Sequence, residues 1–161
     1  MEPITERDIR SSFVNCSKGD AKRLSVPRDL GKRHWEDLDF LGWTDPSCAG
    51  RCYIAVPRDG ELLGIALRHE AGSGKPQMCA LCLTTHSGGG VALMTAKKAG
   101  ESGRRGNTVG SYLCADLACS LYARNKKRPA MGSRYREDLT EEAKVRRLLG
   151  NLYAFIDRLY T

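Results

Sequence analysis

Two cysteine pairs decide the fold of this chain: Cys79-Ala-Leu-Cys82 and, after a 31-residue insert, Cys114-Ala-Asp-Leu-Ala-Cys119. Such pairs are typical of a tetrahedral zinc site, because each supplies two thiolates from one tight turn and the ion joins the turns. The second pair is wider than usual and the insert is long, so buried free thiols are the alternative. We predict one structural Zn²⁺ bound by Cys79, Cys82, Cys114 and Cys119.

The wide second pair restricts the local structure. In one continuous helix, residues five apart differ by about 140° around the axis, so both sulfurs could not face one ion. We therefore predict that Cys114 ends a strand, that Asp116 is an N-cap, and that Cys119 lies in the first turn of a helix reaching about Asn125. The helix dipole would then favour the thiolate of Cys119. Knuckle, hairpin and helix in this order make a treble clef.

Length and composition limit the class of protein. At 161 residues the chain is one domain, or one domain with a small appended part. Its N-terminus lacks a signal pattern, and no apolar run approaches the roughly 18 residues of a membrane helix. Seven cysteines are an odd number, so metal-bound and free thiols in a reducing cytoplasm fit better than disulfides.

Positive charge is concentrated around the second cysteine pair. Segment 97–136 holds ten Lys and Arg against two acidic residues, whereas the whole chain carries a formal +7. This excess indicates an acidic partner, either nucleic acid or an acidic protein face. A solvated surface, or compensation of the −2 charge of a four-thiolate zinc site, is the alternative.

The chain as a whole is predicted to be α+β, with a small antiparallel β-sheet followed by a treble-clef zinc finger. A short helix precedes this core and a longer helix follows it. We expect four segments: 1–37 as N-terminal helix and loop, 38–74 as antiparallel β-strands, 75–128 as the zinc finger, and 129–161 as a C-terminal helix packing on the domain.

Local patterns predict the individual elements. Thr5 and Asp8 form a capping box for a helix reaching about Cys16, and segment 18–37 reads as loop with at most one helical turn. The expected strands are 38–43, 52–58, 61–69, 91–99 and 107–113. Asp59-Gly60 is a strong hairpin signal, and segment 100–106 is expected to be an exposed, flexible hairpin tip.

The longest periodic segment runs from Thr140 to Tyr160 and predicts a helix. One apolar face is formed by Val145, Leu148, Leu149, Leu152, Phe155, Ile156 and Leu159. We expect this face to cover the sheet or the zinc finger, and docking of a partner on the helix is the alternative.

Other residues carry weaker signals. His86, four residues after Cys82, is the alternative to one thiolate ligand, and the four cysteines are preferred. Cys48 and Cys52 have metal-like spacing and could form a second site with Cys16 or His69, but free thiols are the preferred interpretation. The glycines at 88–90 lack the Lys-Ser/Thr ending of a phosphate-binding loop, so a turn is expected.

No catalytic constellation is evident, and a closed four-thiolate zinc site leaves no position for water. A zinc-dependent enzyme is therefore the least favoured class.

Three stretches resemble the FBP-type treble-clef zinc finger: Met78-Cys-Ala-Leu-Cys82, His86-Ser-Gly-Gly-Gly-Val-Ala-Leu-Met94 and Gly110-Ser-Tyr-Leu-Cys-Ala-Asp-Leu-Ala-Cys-Ser-Leu-Tyr122. That finger occurs in elongation factor G-binding proteins, including the FusB-type fusidic acid resistance proteins. The resemblance implies the same four-cysteine zinc site and binding to elongation factor G, which frees a drug-stalled factor from the ribosome. The resistance proteins carry an N-terminal helical bundle, whereas only segment 1–37 precedes the first strand here, as in a chromosomal member with a reduced N-terminal part.

In the resistance proteins, aromatic and basic side chains of the zinc domain contact the factor. The predicted partner surface here combines the hairpin tip, one strand residue and the cluster after the helix: Arg104, Arg105, Tyr112, Arg124, Lys126, Lys127 and Arg128. We expect a cytoplasmic, non-enzymatic adaptor that binds elongation factor G and modulates its interaction with the ribosome. A zinc-dependent module that binds RNA or the ribosome is the alternative, and no membrane contact is expected.

Overall fold

The computed structural model describes residues 1–130 and 137–161, and its centre is an antiparallel sheet. The strands are β1 (Leu41–Thr44), β2 (Arg51–Arg58), β3 (Glu61–His69), β4 (Gln77–Met78), β5 (Thr85–His86), β6 (Val91–Lys97) and β7 (Thr108–Cys114). Strands β1, β2, β3, β6 and β7 form one five-stranded sheet in that order, and β4 pairs with β5. The helices are α1 (Glu6–Ser12), α2 (Lys18–Arg23), α3 (Gly100–Arg104), α4 (Cys119–Ala123) and α5 (Glu141–Asp157). The α+β prediction is confirmed.

The sheet has two hairpins that share one seam. Strands β2 and β3 turn at Asp59 and Gly60, whose φ angles of 52° and 82° suit a type I′ turn, so the predicted hairpin is present. The hairpin of β6 and β7 joins the same sheet through the pairs Arg68–Thr95 and His69–Met94. The sheet therefore crosses the boundary expected between segments 38–74 and 75–128, and the four-segment division stays a prediction.

Side chains alternate between the two faces of the sheet and feed two separate apolar clusters. On one face, Ile54, Ile65, Met94 and Leu113 pack with α5 and with the four cysteines, and we call this cluster the zinc-side core. On the other face, the N-terminal helices cover β1, β2 and β3. We call this second cluster the N-terminal core, and its buried members are Ile9, Ala21, Leu24, Trp35, Leu41, Trp43, Tyr53 and Ala55.

The N-terminal segment contains one helix more than the sequence indicated. The capping box of Thr5 and Asp8 is present, but α1 ends at Ser12 rather than near Cys16. Segment 18–23, expected to be loop, forms α2 with Ser17 as its N-cap. Arg10 donates hydrogen bonds of 2.8–3.0 Å to three carbonyls at the end of α2. These contacts with α1 satisfy the last turn of a helix that is too short to be stable alone.

Asn15 closes a gap in the middle of the sheet. Beyond the pair Arg68–Thr95, strands β3 and β6 separate, and the Asn15 side chain lies between Ala66 and Lys97. Its amide nitrogen donates to the carbonyls of Ala66 and Lys97 at 2.9 and 3.0 Å, and its oxygen accepts from the Ala66 amide at 2.8 Å. One side chain thus replaces the missing ladder hydrogen bonds.

Several element boundaries differ from the sequence-based expectation. Strand β1 begins at Leu41 rather than at 38, because residues Trp35–Asp37 form a 3₁₀ turn. Segment 100–104, expected to be a flexible tip, forms the short helix α3. The predicted C-terminal helix is present as α5, with Thr140 as its N-cap.

Arg134 and Arg136 of the basic segment lie outside the described residues. In the part of the chain that is described, no helix is long and apolar enough to cross a membrane.

Candidate metal centre

The two predicted cysteine pairs come together beside the zinc-side core. All four sulfurs lie within 4.8 Å of one another, and all four residues are buried. Sulfurs of different pairs are neighbours, with 3.7 Å between Cys79 and Cys119 and 3.5 Å between Cys82 and Cys114. A tetrahedral Zn²⁺ with metal–sulfur bonds of about 2.3 Å requires sulfurs about 3.8 Å apart. The cluster therefore has the size and donor set that one zinc ion needs.

The first cysteine pair is held by a tight backbone turn. The Leu83 amide donates to the Cys79 carbonyl at 3.0 Å, and the Cys79 amide donates to the Thr84 carbonyl at 2.9 Å. The Leu81 amide points at the Cys79 sulfur, 3.4 Å away. A further bond of 2.8 Å, from the Ala80 amide to the Tyr112 carbonyl, fixes this turn to β7. The sheet thereby sets the position of both sulfurs.

The second pair is built differently from the prediction in one respect. Cys114 ends β7 as expected, but α4 begins at Cys119 and its N-cap is Ala118, so Asp116 is not the cap. Leu117 has a φ of 54°, and this left-handed residue separates the strand from the helix. The Asp116 carboxylate instead accepts from the Ala118 amide at 3.0 Å. The wide spacing is therefore accommodated by a turn before the helix.

Electrostatics also fit a cation in the cluster. Hydrogen bonds from Cys114 and the other two sulfurs hold the pKa of Cys79 well below its usual range. The same contacts raise the pKa of Cys119, since a second thiolate beside the first would be repelled. Four adjacent thiolates can coexist only around a positive charge, and a divalent metal supplies it. The four cysteines could thus hold one zinc ion.

Helix α5 supports the first turn from outside, which the sequence did not reveal. The Asn151 amide donates to the Leu81 carbonyl at 2.9 Å, and Arg147 reaches the Cys82 carbonyl at 3.4 Å. Arg147 is itself held by Glu137 at 2.8 Å. The polar edge of an apolar helix thus stabilises the cysteine turn, and no local sequence pattern signals such a role.

His86 lies next to the cluster rather than in place of a cysteine. Its Nε2 is 3.3 Å from the Cys114 sulfur, and its ring packs edge-to-face on Tyr122. Burial lowers the pKa of His86, which favours the neutral ring. Tyr122 in turn donates to Asp116 at 2.8 Å. His86 is therefore positioned as a neighbour of a cysteine sulfur, with its ring orientation set by Tyr122.

The remaining cysteines, Cys16, Cys48 and Cys52, lie outside this cluster. Cys52 is buried against Met94, whereas Cys16 and Cys48 are half-buried. Among the residues that the structure describes, the four-cysteine cluster is the only group of three or more potential ligands. The preferred interpretation of these three residues as free thiols agrees with this arrangement.

The predicted partner surface divides into bound and free side chains. Arg124 is almost buried and forms a bidentate pair with Asp39 at 2.6 and 2.8 Å. Lys126 is bound to Asp37, and Lys127 to Asp116. These three residues pair with carboxylates of other segments, although the Lys126 and Lys127 side chains remain about half exposed.

The other four predicted partner residues are exposed. Arg105 pairs with the exposed Glu101, whereas Arg104 and Arg128 have no carboxylate partner in the described part of the chain. Tyr112 is 48% exposed and presents an aromatic face to solvent. The exposed residues of the predicted surface thus lie on β7, on and just after α3, and in the segment after α4.

Comparison with known proteins agrees with this architecture. The model of the family described as FBP C-terminal treble-clef zinc-finger matches residues 8–159. The solved structure of the fusidic acid resistance protein FusC superposes with a TM-score of 0.55 at 20% identity, covering 84% of this chain and 51% of that one. The present chain thus spans about half the length of FusC, and the likeness is one of fold. No curated protein matches the sequence.

Proposed function

The chain belongs to the FBP C-terminal treble-clef zinc-finger family, and from this membership we propose that it binds elongation factor G and modulates the interaction of that factor with the ribosome. The family match over residues 8–159 carries the proposal. The shared fold with FusC, a fusidic acid resistance protein, supports it. We place the protein in the cytoplasm, where translation factors act.

The proposed role is that of an adaptor rather than an enzyme. We propose that Cys79, Cys82, Cys114 and Cys119 complete the coordination of one structural zinc ion, so that no position is left for substrate or water. The ion would hold the two turns and α4 against β7. The ion would therefore contribute to function by fixing the shape of the surface that carries Tyr112 and α3.

The contact surface is proposed to be the exposed part of the zinc finger. Tyr112 offers a large aromatic face, and Arg104 and Arg128 offer charges that are not committed to carboxylates within the described residues. Aromatic and arginine side chains are the types that most often dominate binding energy at protein interfaces. Arg124, Lys126 and Lys127 would serve mainly to hold the fold.

Calorimetric titration of the zinc-loaded chain into purified elongation factor G tests this proposal. We expect saturable binding that weakens about tenfold or more in Tyr112→Ala and in Arg104→Glu, as expected for interface anchors. Arg146→Glu, an exposed charge reversal on α5, is the matched control and should bind normally.

Two outcomes would contradict the proposal. One is the absence of binding by the folded, zinc-loaded chain. The other is tight binding to ribosomal RNA fragments with a steep salt dependence, about 0.7 in log–log slope per neutralised single-strand phosphate, with no binding to the factor. The second outcome would favour an RNA-binding module.

A further inference from the structure

A cavity of about 280 Å³ lies on the opposite side of the sheet from α5, next to the N-terminal core. Its walls come from α2, from the loop between β1 and β2, and from strands β2, β3 and β6. Tyr53 and Ala66 form part of its lining, and Asn15 lies at its wall, where its hydrogen bonds fix the Lys97 carbonyl. The cavity is therefore bounded by well-anchored backbone and is close in size to the smaller ligand sites of proteins, roughly 300 Å³.

Charged residues line this cavity unequally. Four cations, Arg23, Arg51, Arg68 and Lys97, face two carboxylates, Asp20 and Asp45. All four cations are exposed at the rim rather than buried. The cavity thus carries an excess of two positive charges.

Both carboxylates already have partners, and none of these is Arg51, Arg68 or Lys97. Asp20 pairs with Arg23 at 2.8 Å. Asp45 accepts from the Ser47 amide and hydroxyl at 2.9 and 2.7 Å and from the Tyr53 hydroxyl at 2.9 Å. Within residues 1–130 and 137–161, no carboxylate lies within 4.0 Å of the charged groups of Arg51, Arg68 or Lys97. These three cations are the free charges of the cavity.

Two of the free cations stand directly opposite each other. Arg51 and Arg68 are register partners on β2 and β3, and Arg68 is also the partner of Thr95 on β6. Like charges in direct cross-strand positions destabilise a sheet. An anion bound by both guanidinium groups would remove that repulsion, and guanidinium groups bind phosphoryl oxygens through paired hydrogen bonds.

We propose that this cavity binds the phosphoryl group of a phosphate monoester between Arg51 and Arg68, with Lys97 as a third contact. A monoester carries a charge of about −1.5 to −2 near neutral pH, which matches the excess of two positive charges. The remaining volume accommodates only a small organic part. The proposal goes beyond binding of elongation factor G and does not depend on it.

Calorimetry on the zinc-loaded chain tests the site with three probes: inorganic phosphate, adenosine 5′-monophosphate and a hexauridylate RNA. We expect binding of inorganic phosphate and of the monophosphate, weakened about tenfold or more in Arg51→Gln and in Arg68→Gln, because each variant loses a charged hydrogen-bond donor. Stronger binding of the monophosphate identifies a free small molecule as the source of the phosphoryl group. Stronger binding of hexauridylate, whose phosphodiester groups each carry a single negative charge, would contradict the assignment of a phosphate monoester.

The two half-buried cysteines provide a second readout, since Cys16 and Cys48 both line the cavity. The bound probe should slow their alkylation by iodoacetamide in the parent protein and not in Arg51→Gln. Arg146→Gln on α5 is the control for loss of a surface charge, and Lys97→Gln replaces either arginine variant if that variant fails to fold. Absence of binding by all three probes at millimolar concentration, or an equal loss in Arg146→Gln, would overturn the proposal.

Discussion

The zinc-side core and the N-terminal core lie on opposite faces of one sheet, yet they are held together by different means. The zinc-side core gathers the four cysteines and the 17-residue helix α5 around the sheet. The N-terminal core is closed by two helices of seven and six residues, whose ends are satisfied by Thr5, Ser17 and Arg10. The zinc-side core thus relies on a cluster of metal ligands and one long helix. The N-terminal core relies on two short helices whose ends are held by side-chain hydrogen bonds.

This difference determines which substitutions damage each face most. Metal binding can contribute roughly 10–16 kcal/mol to a zinc site, which is comparable to the whole stability of a domain. A single helix cap contributes only about 1 kcal/mol. Removal of one ligand should therefore damage the zinc-side core far more than any single polar substitution damages the N-terminal core.

The largest expected effect follows substitution of a cysteine of the cluster. Cys119→Ser should lose the single equivalent of zinc and destabilise the folded chain by roughly 10 kcal/mol, because the ion no longer joins the two turns. Zinc content by mass spectrometry and amide hydrogen exchange from 79 to 125 measure the result. Cys48→Ser, outside the cluster, is the control. Full zinc retention by Cys119→Ser would show that the sulfur cluster is not the metal site.

A second prediction concerns the ion pair that connects the two regions. Asp39 precedes β1, and Arg124 follows α4, and both side chains are about nine-tenths buried. Asp39→Ala should destabilise the protein by about 3–5 kcal/mol, because it leaves the Arg124 charge buried without this partner. Denaturant unfolding measures the change.

The double variant Asp39→Leu with Arg124→Met is the control for this pair. It removes both charges together, so it should recover most of the lost stability. A double variant that is as unstable as Asp39→Ala would mean that packing, rather than an uncompensated charge, explains the loss.

A third prediction uses matched truncations in the two cores. Leu152 of α5 and Ile9 of α1 are both fully buried. Leu152→Ala and Ile9→Ala should each cost about 2–5 kcal/mol through lost contacts and a residual cavity. Only Leu152→Ala should speed the loss of zinc to a chelator, because α5 also holds the cysteine turn through Asn151. Equal zinc release by the two variants would refute the division into two cores.

The smallest predicted effect is a pH dependence in the N-terminal core. Burial by itself would raise the pKa of Asp45, but the bonds from Ser47 and Tyr53 outweigh burial and lower it to about 2. Because the folded pKa lies below the unfolded value near 3.8, the carboxylate contributes about 2 kcal/mol of stability above pH 4. That contribution is lost as the pH falls from about 4 through 2.

Comparison with Asp45→Asn isolates this contribution. The difference in unfolding free energy between the two proteins should be largest above pH 4 and should shrink towards pH 2. Protonation of the cysteines releases metal in acid from both proteins, so the difference between them is the informative quantity. A constant difference across this range would exclude the carboxylate as its source.

The sequence was sufficient for features that depend on neighbouring residues. Three such features depend only on residues that are close together in the sequence. They are the alternation in β2 and β3, the Asp59-Gly60 turn and the apolar periodicity of α5. The spacing of the four cysteines likewise indicated the cluster, since metal ligands restrict which turns can surround them. These elements therefore appear in the structure near their predicted places.

The remaining features depend on contacts between distant residues. Helix α2 contains only polar and small residues, and its last turn is satisfied by Arg10 of another helix. Leucine rarely adopts positive φ, so nothing local indicated that Leu117 would begin the turn before α4. The carboxylates that bind Arg124 and Lys126 lie 85 and 89 residues away. Charge in the sequence could not distinguish these bound side chains from free ones.

Asn15 has a consequence for the order in which the chain acquires its structure during synthesis. The hairpin of β2 and β3 can close as soon as residue 69 is available, since its partners are near neighbours. The carbonyl of Lys97 follows Asn15 by 82 residues, a delay of about 4–16 s at 5–20 residues per second. Strand β3 ends at residue 69 and β6 at residue 97, so the nascent chain carries an unpaired edge at β3 during the last part of this delay, until β6 and Asn15 pair with it. During that interval the edge is open to mispairing with another chain.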